Sequence, residues 1–291
     1  MTNRPLRFSL PFLLALVGAA TVFAGIHQSP STPHAGAGDL MISPMRVVFE
    51  GAKRTAEINL LNIGVKPSLY RITLVHERMN EDGNLVDVAS PGPGDKFADE
   101  LVRFTPRQIL LAPHVAQVVR IQVRLPANLD PGEYRSHMLF RAVSAQAAAD
   151  QTPEQTQPPT GLSVHIMPVF GLSIPVIVRS GQTTASAGFV EARIASTPDG
   201  LPVLVGKLSH SGNASVYGDM VVEFAEMGRP FRLLMRANGL AIYTPNATRN
   251  FALLLSHDKT VQFHNGTIRV TYKHSEADGS EPFAKTLITV Q

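Results

Sequence analysis

The 291-residue chain contains no cysteine. That absence excludes a disulfide framework, thiolate metal sites and a cysteine nucleophile. It leaves the compartment open, because an oxidising compartment permits disulfides without requiring them. Tryptophan is absent too, and aromatics make up only 7% of the residues. Charge of one sign is also lacking: 26 Lys and Arg face 23 Asp and Glu, a formal net of +3. No Lys/Arg-rich block occurs, so the electrostatic footprint of a nucleic-acid binder is missing. Sequence signatures of catalysis are missing as well. There is no G-x-S-x-G, H-E-x-x-H, P-loop or G-x-G-x-x-G, and the ten histidines form no credible catalytic set. The chain is expected to be no enzyme and to need no cofactor or metal. An envelope hydrolase on a β-sandwich is the reading this disfavours, although convergent sites leave no shared motif.

What the chain does have is 44% hydrophobic residues, enough for cores in two domains of ordinary size. At the start, the short basic "MTNRPLR" precedes the uncharged "FSLPFLLALVGAATVFAG", with small residues at Ala20 and Ala24. This is the pattern of a secretory signal over residues 1–24. An uncleaved membrane anchor is the alternative, since the uncharged run approaches spanning length. Removing Arg4 and Arg7 with the leader leaves 24 basic residues against 23 acidic ones, a net of +1. "HQSPSTPHAGAG" then reads as a disordered mature N-terminus over 25–38.

From Asp39 onward the alternation is of period two, and helical spacing finds no long support. The segments "MRVVFEG", "TAEINLLNIG", "SLYRITLVHERM", "LVRFTP", "VAQVVRIQV" and "EYRSHMLFRAV" read as strands. Ile58 and Leu60 face one way while Glu57 and Asn59 face the other; Val119, Ile121 and Val123 oppose Arg120 and Gln122. A seventh, "GLSVHIMPVFGLSIPVIVR" (161–179), completes the number an immunoglobulin-like sandwich needs. The run 144–160 before it is Ala/Gln/Pro-rich, a low-complexity loop. A second all-β set follows from about Gly181. The expected architecture is all-β, two immunoglobulin-like sandwiches in tandem, 39–179 and 180–291. Asp82-Gly83, Asp199-Gly200, Asn238-Gly239, Asn265-Gly266 and Asp278-Gly279 are candidate tight turns. "VQFHNGTIRV" looks most like a two-residue hairpin.

The 161–179 segment is unusual. Every even-numbered residue from Leu162 to Val178 is apolar, and no charge precedes Arg179. Seventeen residues at about 3.3 Å each span roughly 55 Å, against about 17–20 Å for a typical strand. Pro168 and Pro175 speak against a central strand, because proline donates nothing to a ladder. A long apolar edge is normally an aggregation liability, so it is expected to be offered to a partner by β-strand addition.

In their order, "MRVVFEG", "TAEINLLNIG", "VRFTPRQILLAPHVAQVVRIQV", "LDPGEYRSHMLFRAV" and the alternating last strand resemble the periplasmic pilus-assembly chaperones of the chaperone–usher pathway, in a divergent branch. The resemblance covers about Asp39 to Arg179. It implies two domains around a cleft. It implies a periplasmic protein that binds pilus subunits by donor-strand complementation and hands them to an outer-membrane usher. It places Arg46 on the family's first-strand arginine, which takes the subunit's terminal carboxylate. It places Leu162, Val164, Ile166 and Phe170 among the donor residues, and Arg179 near a hinge arginine. The family's second cleft cation is a lysine of the last strand; here Pro175 stands there, and no lysine occurs between Gly161 and Arg179. A secreted two-domain adhesin or structural pilus subunit is the alternative; a subunit should lack its own seventh strand.

Overall fold

A computed structural model of the protein describes residues 39–143, 171–258, 260–261, 263–275 and 281–290. Among them there are strands and no α-helix. No helix there is long and apolar enough to cross a membrane.

The first half contains β1 (Leu40–Ser43), β2 (Val47–Phe49), β3 (Thr55–Asn62), β4 (Ser68–Val75), β5 (Glu77–Met79) and β6 (Leu85–Asp87). It continues with β7 (Val102–Thr105), β8 (Gln108–Leu111), β9 (Ala116–Val123), β10 (Gly132–Val143) and β11 (Gly171–Ser180). Two sheets, ordered β1-β3-β9-β7 and β2-β11-β10-β4-β8, enclose one core, and β5-β6 forms a separate hairpin. The alternation does what it predicts: Ile58, Leu60, Val119 and Ile121 are fully buried, while Glu57, Asn59, Arg120 and Gln122 face out. Burying each such side chain contributes about 1.5–3 kcal/mol.

The opening strand divides between the sheets. β1 pairs antiparallel with β3, Leu40 opposite Asn62. After Ser43 the chain changes sheets, and β2 pairs parallel with β11, Val47 beside Val176. Reading "MRVVFEG" as the first strand therefore omits β1, and Arg46 stands just ahead of β2 rather than in it.

β11 corrects a second expectation. Its pairing with β10 runs from Gly171 to Ser180 straight through Pro175, which lies opposite His137. Pairing does not stop at the proline. On its other side the β2 ladder begins only at Val176, so Pro175 has no second ladder to interrupt. β11 is thus an interior strand over Val176–Val178 and lacks a β2 partner over 171–175. Leu172, Ile174, Val176 and Val178 enter the first core. On the opposite face Ile177 is fully buried against Met79, Ala241 and Tyr243. Both faces are covered there, which explains an apolar run without charge.

The second half contains β12 (Ala185–Ser196), β13 (Pro202–Gly212), β14 (Val216–Glu226), β15 (Arg232–Ile242), β16 (Thr248–Leu254), β17 (Gly266–His274) and β18 (Ala284–Val290). Sheets β12-β13-β16 and β15-β14-β17-β18 enclose a second core, with Leu204, Leu208, Met220, Val222, Ile268, Val270 and Tyr272 at its centre. Asp82-Gly83 and Asp199-Gly200 turn between neighbouring strands, each glycine at φ 83. The other two described turn signals act differently. Asn265-Gly266 closes no hairpin: β16 belongs to one sheet and β17 to the other, and the intervening residues cross between them. Asn238-Gly239 is a bulge inside β15, where the register slips between Gly218↔Leu240 and Met220↔Ala237. Gly239 takes φ 70, and its N–H donates to Asp219 Oδ1 at 3.0 Å. Asp278-Gly279 lies outside the described residues.

Candidate binding cleft between the two sandwiches

The parallel register of β2 with β11 sets Arg46 level with Pro175, at the junction of the sandwiches. Two tyrosines of the second sandwich hold its guanidinium. Nη1 donates to the Tyr243 hydroxyl at 3.2 Å, and the group lies 4.7 Å from the ring centroid of Tyr217. Cation–π contact of this kind orients a guanidinium without neutralising it. Among the described residues Arg46 makes no ion pair.

Arg46 opens onto a cavity of about 670 Å³. Lys53, Arg179, Ser215, Tyr217, His274 and Phe283 also line it, and among the described residues no Asp or Glu does. Arg179 is already engaged. Its Nε donates to Glu133 Oε2 at 3.3 Å, Nη1 to Glu50 Oε2 at 3.1 Å, and Nη2 to the Ser215 carbonyl at 3.2 Å. Glu133, itself buried, also accepts from the Ser215 N–H at 3.0 Å and from the Ser215 hydroxyl. Two carboxylates therefore meet the charge of Arg179, whereas among the described residues of the cavity wall Arg46 and Lys53 have no acid of their own. A guanidinium without an ion pair attracts an anion, and a planar carboxylate matches its fork.

Behind Arg46 lies a second polar layer. Arg135, on β10, sits 4.1 Å from the Tyr243 ring centroid and donates to the Thr244 carbonyl at 3.2 Å. Burial lowers its pKa, and the Arg46 charge adds to that. His137, two residues on, is fully buried. Burial, and then the charges of Arg135 and Arg46, push its pKa down to about 3. Its Nδ1 lies 3.4 Å from Glu77 Oε2, but a neutral imidazole without hydrogen-bond geometry makes no ion pair there. Glu77 accepts from the Ser173 hydroxyl at 3.1 Å, and burial raises its pKa.

The β5-β6 hairpin fastens the junction from another direction. Asn246 Nδ2 donates to the Met79 carbonyl at 2.9 Å. The Asn250 N–H donates to the Glu81 carbonyl at 2.6 Å, and Asn250 Nδ2 to Asp82 Oδ1 at 2.8 Å. With Met79, Ile177, Ala241 and Tyr243 packed together beneath, the cleft is built before any ligand arrives.

Of the residues singled out by the sequence, Arg46 and Arg179 come together on this cavity. Leu162, Val164, Ile166 and Phe170 lie outside the described residues. Sequence reasoning missed Tyr217, Tyr243, Lys53 and Glu133. One signal was available: Glu133, Arg135 and His137 alternate along β10, and period two puts them on one face. Among the described residues no group of three or more His, Asp or Glu is placed to hold a metal ion.

No protein-family model matches the chain, and no curated protein matches it in sequence. Among solved structures it is similar to the CupB2 chaperone of Pseudomonas aeruginosa, at 13% identity and TM-score 0.42, over 85% of this chain and 97% of that one. It is similar to the YadV chaperone at 9% identity and TM-score 0.42, over 86% and 98% of the two chains. A third likeness, at 11% identity and TM-score 0.40 over 86% and 96%, is to the CsuC–CsuE chaperone–tip adhesion subunit pre-assembly complex from archaic chaperone–usher Csu pili of Acinetobacter baumannii.

Proposed function

We propose that the protein is a periplasmic chaperone of pilus subunits that works by donor-strand complementation and delivers its cargo to an outer-membrane usher. The observation that carries this reading is Arg46: a guanidinium held by Tyr217 and Tyr243, facing the cavity and, among the described residues, without an acid partner. The subunit's terminal carboxylate binds Arg46. Its strand then runs along the part of β11, 171–175, that β2 leaves uncovered, and main-chain hydrogen bonds supply affinity. Leu162, Val164, Ile166 and Phe170, upstream in the same alternating run, are the donor side chains of this proposal. Arg179 ties β11 to Ser215 and keeps the cleft walls in register. The chemistry is binding alone, with no bond made or broken.

The test is co-expression of the chain with the subunits encoded beside its gene, followed by purification. A stable one-to-one complex is expected, and its absence with every such subunit overturns the reading. Arg46→Glu is expected to abolish capture while circular dichroism stays unchanged. An aspartate at Ile166 is expected to weaken capture more than one at His165, since alternate residues face opposite ways.

A further inference from the structure

A carboxylate is small beside the space that Arg46 faces. The cavity of about 670 Å³ falls within the range in which proteins enclose whole small molecules, about 300–1,000 Å³. The rest of its wall has a definite chemistry. His274 and Phe283 lie against each other, ring centroids 3.8 Å apart. Phe283 is backed in turn by Tyr272, 5.2 Å away. Tyr272 is fully buried in the second core, and its hydroxyl donates to the Leu240 carbonyl at 2.8 Å. The shelf is therefore anchored in the sandwich. Val48 and Pro44 add aliphatic surface, and no acidic residue joins them among the described residues.

We infer that the cavity reads the side chain of the last residue as well as its carboxylate, and that it takes an aromatic one. The inference rests on the reading that a chain terminus binds at Arg46. With the carboxylate on Arg46, the terminal side chain enters the same cavity, whose wall carries the Phe283 and His274 rings. A flat ring gains offset or edge contacts there that a methyl group does not. A basic side chain would meet the like charges of Arg46 and Lys53.

The experiment uses the full mature chain and three labelled ten-residue peptides of alternating serine and valine. They differ only in the last residue: phenylalanine with a free carboxylate, alanine with a free carboxylate, and phenylalanine amide. Anisotropy titration is expected to give the phenylalanine acid about tenfold tighter binding than the alanine acid, a ratio of about 1.4 kcal/mol. Phe283→Ala is expected to remove that preference. Should this variant fail to fold, the comparison of the two acids on the unaltered protein decides the matter alone. Equal binding of the two acids overturns the inference, and if the amide is weaker than its acid the carboxylate site stands. Equal binding of acid and amide overturns both.

Discussion

Arg46 donates a hydrogen bond to the hydroxyl of Tyr243, 197 residues further along the chain and on the other side of the sandwich junction. The bond aims the guanidinium and leaves its charge unspent. Tyr243→Phe keeps the packing against Ile177 and Met79 and removes only the acceptor. A hydrogen bond of this class contributes about 0.5–1.5 kcal/mol, so subunit affinity is expected to fall about threefold to tenfold. Arg46→Gln removes the charge itself and is expected to cost about 1.5–3 kcal/mol of binding. Calorimetric titration with a purified subunit checks both. A Tyr243→Phe loss as large as that of Arg46→Gln would mean that the tyrosine does more than position its neighbour.

Glu133 and Arg179, paired neighbours on β10 and β11, together reach across the junction to Ser215. Removing one member of a buried pair costs about 3–5 kcal/mol, because the other is left uncompensated. Arg179→Ala leaves Glu133 with the N–H and hydroxyl of Ser215, and Glu133→Ala leaves Arg179 with the exposed Glu50. Each is expected to lower the urea midpoint, Arg179→Ala more, because Glu133 is the more deeply buried partner. The double variant should lose less than the two singles together. Simple additivity would show that the pair is not coupled.

The parts that alternation describes were legible, and the parts made by covering a face were not. Ile58 and Leu60 on β3, and Val119 and Ile121 on β9, sit as their period predicts because each strand has one wet face. Glu133, Arg135 and His137 alternate along one face of β10, yet all three are buried, because the second sandwich lies over them. Nothing local announces that cover. Tyr217 and Tyr243 reach Arg46 only through the tertiary fold. Asn265-Gly266 shows a related limit: its positive φ was readable, while which sheets the turn connects was not. Arg46 itself was named by resemblance, since an arginine beside an apolar strand is ordinary by pattern.

His137 makes stability fall with acid. Its folded pKa of about 3 lies below the ordinary imidazole value of 6.5, so between those limits the unfolded chain binds the extra proton. The stabilisation is whole above about 6.5 and is lost as the pH falls toward 3, with a slope of at most about 1.4 kcal/mol per pH unit. Glu77 opposes this, because its raised pKa favours the protonated folded form in a window that begins at its ordinary value of 4.5. Asp95 and Glu223, held low by Arg78 and Arg269, contribute their own loss only below the ordinary carboxylate range. Urea midpoints between pH 5 and 6.5 in a Glu77→Gln background are therefore expected to fall with acid. His137→Leu should flatten that dependence. An unchanged slope in the leucine variant would assign it to another group.

The β5-β6 hairpin offers a test of whether a fixed junction matters to capture. Gly83 stands at φ 83, and a Cβ there would run into the Arg249 guanidinium. A valine is wrong twice over: β-branched residues avoid positive φ, and the guanidinium beside it is half-buried and packed. The turn has to lift away, and the Asn250 bonds to Glu81 and Asp82 go with it. The first core does not include this hairpin, so Gly83→Val should leave the sandwiches intact and loosen only the joint. Small-angle scattering is expected to show a broader distribution of shapes, and subunit affinity should drop, since Tyr217 and Tyr243 of the second sandwich must be brought back against Arg46 before it is aimed at a ligand. Asn250→Ala removes the same bonds without the steric clash and should give a smaller change in the same direction. Full affinity in a variant whose scattering has broadened would mean that Arg46 does not need the second sandwich's tyrosines to engage its ligand.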